Sequence, residues 1–135
     1  MSKVLGFRDL RVWQHGMNLV EQVYRISHQF PRHEIYGLTS QIRRAAVSIP
    51  ANIAEDYTRA HLKEYLQFLS MAQASLAELQ TEMEVAIRLE YVKAEQGNQT
   101  LDEASSLAKQ IHSLRSALAR RTNTQHSAPG TEHCL

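Results

Sequence analysis

Gln41, Arg44, Ser48, Asn52 and Glu55 recur at spacings of three and four, so on a helix they form one polar stripe. An apolar stripe of Leu38, Ile42, Ala45, Ile49 and Ile53 runs beside it. Ser and Asn are poor helix formers, and a purely solvated helix face rarely uses them. Their presence points to polar groups that meet partners inside or between helical bundles. Ser75, Glu78 and Glu82 share one face of a later segment and could supply those partners. A planar guanidinium such as that of Arg44 grips a carboxylate through two parallel hydrogen bonds, while hydroxyls and an amide extend the network. One use of such a layer is to fix helix register, as a buried Asn does in coiled coils; the other is to bind a ligand. Partners of both signs exist within the chain, which favours a polar inter-helix layer of Gln41, Arg44, Ser48, Asn52, Glu55, Ser75 and Glu78.

Catalytic and metal chemistry find little support. Carboxylate-bridged metal sites in bundles need Glu-x-x-His pairs, and the chain has none. His61-x-x-Glu64 has the reverse order, and His-Glu-x-x-His is absent. The 7 histidines are scattered. The sole cysteine, Cys134, adjoins the C-terminus, which rules out an intrachain disulfide and fits a reducing compartment. Ser48 and Ser75 lack a His at helical spacing, and neither a Gly-x-Ser-x-Gly elbow nor a glycine-rich phosphate loop occurs. The chain therefore reads as non-enzymatic, without metal or cofactor; a small enzyme with its site in the bundle core is the alternative.

Net charge is +1, so no global field draws the chain to nucleic acid, and any such contact needs a local patch. Arg43-Arg44 and Arg120-Arg121 are the basic pairs, with Lys109 and Arg115 near the second. With Arg44 assigned to the polar stripe, Arg43, Arg120 and Arg121 remain as the candidate nucleic-acid contacts. Several copies in one assembly would multiply a weak patch.

Four helical segments must position these residues. The first runs from about Leu10 to Gln29, with Asp9 as N-cap, Pro31 as terminator, and Leu10, Trp13, Met17, Val20 and Tyr24 as its leading apolar stripe. Val12, Leu19, Val23 and Ile26 widen that face beyond a simple seam, which points to burial against a second subunit. The second spans Glu34 to Tyr57, and Pro50 must kink or split it. In the third, Leu62 to Val92, the series Leu62, Leu66, Leu69, Ala72, Leu76, Leu79, Met83 and Ala86 keeps a near-strict heptad over about 45 Å. Gly97-Asn98 reads as a break, and Thr100-Leu-Asp-Glu103 as a capping box that opens the fourth. There Leu101, Ala104, Leu107, Ile111, Leu114 and Leu118 repeat the pattern. The fold class is all-α: an antiparallel up-down-up-down four-helix bundle over 1–121 with a disordered C-terminal tail over 122–135. With no apolar run of about 18 residues and no signal-peptide core at Met1, no membrane partner is expected and the predicted location is cytoplasmic.

The chain also resembles a family. Phe7-Arg8-Asp9-Leu10 with Val12-Trp13, Glu34-Ile35-Tyr36-Gly37-Leu38, and above all Gln41-Ile42-Arg43-Arg44-Ala45-Ala46 followed by Ser48-Ile49-Pro50-Ala51-Asn52-Ile53-Ala54-Glu55 are similar to bacterial 23S rRNA intervening-sequence or ribosomal S23 proteins. Ser75-Leu76-Ala77-Glu78-Leu79 continues the likeness, which covers about 7–120; Asp56 and Ala74 stand where that family usually has Gly. The resemblance implies a four-helix bundle that self-associates as a homo-oligomer, in some relatives a pentamer. It further implies kinship with accessory subunits of diversity-generating retroelements, which associate with a reverse transcriptase and with RNA or DNA. The functional expectation is a scaffold or adaptor for nucleic acid or a nucleic-acid-handling protein, with a pure protein-interaction module as the alternative.

Overall fold

In a computed structural model of the chain, which describes residues 6–55, 57 and 61–126 (backbone alone from 122), a 3₁₀ turn at Phe7–Asp9 precedes four helices. They are α1 Arg11–Ser27, α2 Leu38–Ala54, α3 Leu62–Arg88 and α4 Ala94–His126, with a second 3₁₀ turn at Arg32–Glu34. Each helix packs on its neighbours in sequence and α4 closes back on α1. Cross-links between helices run in opposite directions along each pair. Tyr65 Oη donates to Ile53 O near the start of α3, and Ser48 meets Ser75 further along. Arg115 reaches Gln73, while Gln80 reaches Ser105. This is the antiparallel four-helix bundle that the heptads predict.

The core of α3 follows its heptad: Leu69, Ala72, Leu76, Leu79, Met83 and Ala86 are buried, with Leu62 and Leu66 half-buried at the end. The α4 series behaves likewise, with Ala104, Leu107 and Ile111 fully buried. In α1 the register differs from expectation. Its buried stripe is Val12, Gly16, Leu19, Val23 and Ile26, whereas Met17 and Tyr24 are exposed. Gly16 lies on this buried face, against Pro50 and Ile49 of α2. Asp9 is not the N-cap, because its Oδ2 accepts the Gly6 N–H inside the 3₁₀ turn and Leu10 occupies the cap position.

Pro50 is buried within one continuous α2, so the helix is not split in two. It ends at Ala54 rather than Tyr57, with Glu55 extended at the C-cap. The α3–α4 junction also differs from expectation. α3 stops at Arg88 through a Schellman turn in which Tyr91 N–H reaches Ala86 O and Glu90 N–H reaches Ile87 O. The left-handed residue there is Glu90, at φ 62°, where a glycine is usual. α4 then begins at Ala94, and Gly97 lies inside it, buried under Ile87 and Val92; a Cβ would fall 2.5 Å from Ile87. Gly97 is thus a contact point between helices rather than a break. Thr100 is buried in α4, with its hydroxyl on Gln96 O, and caps nothing. α4 continues through His126, past the expected tail boundary at Arg121. The remaining tail, with Cys134, and Asp56 lie outside the described residues.

Candidate functional site

The polar stripe divides once side chains are placed. Ser48 Oγ and Ser75 Oγ share a 2.7 Å hydrogen bond across α2 and α3. Asn52 Nδ2 donates to Ser48 O at 2.9 Å and to Ser48 Oγ at 3.0 Å, which completes a half-buried polar cluster. The Ser48–Ser75 bond places this cluster at the α2–α3 seam. Gln41, Arg44, Glu55 and Glu78 are exposed. Arg44 bonds Ser40 Oγ one turn back on its own helix, not a carboxylate. Glu55 falls in the first non-helical residue, where the stripe's geometry no longer applies.

Glu82 carries the unusual chemistry of this seam. It is 7% exposed, and its Oε1 is sealed from solvent without a hydrogen-bond partner. Burial, then the hydrogen bond and charge of neighbouring Glu78, push its pKa up to about 7. Glu82, with Glu78 one turn away, therefore tends to hold its proton. Tyr65, packed against Tyr57, is raised first by burial and then by its neighbour. Among the described residues no three His, Cys, Asp or Glu side chains converge as a metal donor set.

The two helix-two arginines exchange their expected roles. Arg43 is the committed one: its Nε donates to Ser27 Oγ at 2.8 Å and its guanidinium lies 4.7 Å from the Tyr24 ring centre. Arg44 faces solvent. A groove of about 450 Å³ between α1 and α2 is lined by Tyr24, Ile35, Val47 and these two arginines. Arg120 and Arg121 are exposed at the far end of α4, where Arg121 borders an apolar mouth formed with Leu10, Leu62 and Leu118. The structure therefore does not bring Arg43 together with Arg120 and Arg121.

Other contacts were not legible as sites. Glu34 Oε1 accepts the Leu38 N–H at 2.9 Å, and Oε2 accepts the Tyr91 hydroxyl at 2.8 Å. The backbone bond first, then the tyrosine, lowers the Glu34 pKa. His15 lies 2.9 Å from Glu103 Oε1 and 3.2 Å from Gln110 Oε1, joining α1 to α4. From Ala104 to Arg121, α4 holds no acidic residue but carries Lys109, Arg115, Arg120 and Arg121; Arg11 of α1 lines the same groove as Lys109. That asymmetry was present in the sequence as a charge count, but the contribution of Arg11 needed the fold.

The family model of the 23S rRNA-intervening sequence protein matches residues 8–113. The chain belongs to that family. A solved structure from Bacteroides thetaiotaomicron, described as a protein with unknown function from the S23 ribosomal protein family, is similar with a TM-score of 0.71 at 21% identity. The match covers 77% of this chain and 97% of that chain, and it bears on the fold alone. No curated protein matches the chain. Among the described residues no helix is long and apolar enough to cross a membrane.

Proposed function

We propose that this family member is a non-enzymatic, self-associating cytoplasmic adaptor that holds nucleic acid by its phosphate backbone. The carrying observation is the acid-free half of α4, whose Lys109, Arg120 and Arg121 are exposed, with Arg11 of α1 in the Lys109 groove. No carboxylate within this half of α4 offsets its cations, which favours attraction for phosphate. Among the described residues nothing at this end offers a base-reading element, so recognition is sequence-tolerant and rests on counterion release. Self-association finds support in the exposed apolar residues Tyr24, Ile35, Val47, Met71 and Leu89, together with Tyr36 at 94% exposure. Repeating the basic end in every copy converts weak single contacts into a usable surface.

Fluorescence anisotropy with short RNA and DNA duplexes across a salt series tests this reading. Arg120→Ala/Arg121→Ala and Arg11→Ala/Lys109→Ala should each weaken binding and flatten the salt dependence, by about 0.9 in log–log slope per lost contact. Arg43→Ala should do neither. Wild-type protein that binds neither duplex at low salt would instead support a protein-interaction module.

A further inference from the structure

The helices are unequal in length: α1 and α2 have 17 residues each, α4 has 33. The excess of α4 falls at one end of the bundle. His15, near the start of α1, already meets Gln110, yet α4 runs on to His126. Past that point α3 stays beside it, as the Arg115–Gln73 bond shows, whereas α2 has ended at Ala54. The apolar stripe of α4 nevertheless continues. Leu114 and Leu118 follow buried Ile111 by one and two turns, and Leu62 opens the stripe of α3; all three are half-buried. With Leu10 before α1 and Tyr57 past the end of α2, they line an apolar mouth of about 450 Å³, within the size range of small-molecule sites.

The polar groups of this mouth are few and differ in availability. The Tyr65 hydroxyl is committed to Ile53 O. The Tyr57 ring leans on that of Tyr65, 5.6 Å between centres, and its hydroxyl has no hydrogen-bond partner among the described residues. Arg121 is the one charged residue in the lining, and its guanidinium likewise has no partner among the described residues. A phosphate or a sugar could use Arg121 but would leave the leucine walls wet. An amphipathic amine would cover the walls and set its charge against the arginine. An apolar chain that ends in an anion satisfies both, and a planar carboxylate suits the guanidinium fork. We propose that this mouth binds a small amphipathic carboxylate of the medium-chain fatty-acid class, its chain against Leu62, Leu114 and Leu118 and its head on Arg121 and the Tyr57 hydroxyl. The site is separate from the nucleic-acid reading and does not depend on it, since only Arg121 belongs to both.

Isothermal titration calorimetry of the full chain, without nucleic acid, tests this with three ligands of one chain length: octanoate, octanol and octylammonium. Octanoate should saturate one site per chain, and octylammonium should bind at least about tenfold more weakly. Arg121→Gln should weaken octanoate by about tenfold and leave octanol unchanged. Leu62→Asp should weaken octanoate and octanol alike, because it puts a charge into the apolar wall. Absence of saturable octanoate binding by the wild type would overturn the site. Octylammonium binding equal to octanoate, or an Arg121→Gln variant that binds octanoate as wild type does, would overturn the choice of a carboxylate. A Leu62→Asp variant that is helical by circular dichroism and binds as wild type would overturn the location. Should that variant lose its helicity, Leu62→Trp takes its place; it fills the mouth without adding charge and should also weaken both ligands, and unchanged binding would again overturn the location.

Discussion

The α2–α3 seam and the α1–α4 seam are built differently. The first is the most extensive contact in the bundle, and its polar groups are short: Ser48, Ser75 and Asn52, with the Tyr65 hydroxyl on Ile53 O. The second has the fewest contacts among the four neighbouring pairs and is bridged at the surface by His15 to Glu103 and Gln110. Short hydroxyls satisfy each other without holding two helices apart. A histidine that reaches for long side chains spans a gap which packing does not fill. The tight seam should hold most of the stability, and the loose one should tolerate change.

Leu76→Ala in α3 is the largest expected effect, a loss of about 2–5 kcal/mol in chemical denaturation, since the side chain is fully buried in the core. A loss below about 0.5 kcal/mol would contradict the placement of this seam at the centre of the protein. Glu82 comes next. Its folded pKa of about 7 exceeds the free value of 4.5, so the folded protein holds that proton more tightly than the unfolded chain. The associated stability is complete below pH 4.5 and disappears as pH rises through about 7. Thermal melts should therefore show a lower Tm at pH 8 than at pH 5 from this group, and Glu82→Gln should flatten the difference. Ser75→Ala leaves Ser48 without its cross-helix partner and should cost about 1 kcal/mol. Glu90→Gly relieves a left-handed backbone and should stabilise by about 1 kcal/mol. His15→Ala should change stability by no more than about 0.5 kcal/mol. A larger cost there would erase the contrast between the seams.

The heptads of α3 and the second half of α4 were legible because a long apolar repeat permits one buried face. The ends were harder to read. Gly97 looks like a break, yet it sits inside α4 where Ile87 leaves no room for a Cβ, while the true stop at Glu90 carries no glycine to announce it. The polar stripe was legible as a stripe, but spacing alone does not reveal which side of α2 faces a neighbour. Ser48 and Asn52 fall on the α3 side, whereas Arg44 points outward and Arg43 folds over Tyr24. In α1 the large residues Met17 and Tyr24 drew attention to the wrong stripe, because the face turned to the core carries Val12, Gly16, Leu19, Val23 and Ile26 instead. Glu82 was visible only as a charge on the face of Ser75 and Glu78; its burial emerges only from the packed bundle.

Glu34 has a consequence for the order in which the molecule comes apart. Through Leu38 and Tyr91, one carboxylate joins points 57 residues apart in the chain and closes α2 and α3 into a single contour. Loop-closure entropy grows only slowly with contour length, so even one small clasp at the mouth of a long hairpin is effective. With the contour shut, α2 and α3 are expected to open as one unit, whereas α1 and α4 pack from outside it. Amide exchange under native conditions would then divide the protein into a slow inner hairpin and two faster outer helices.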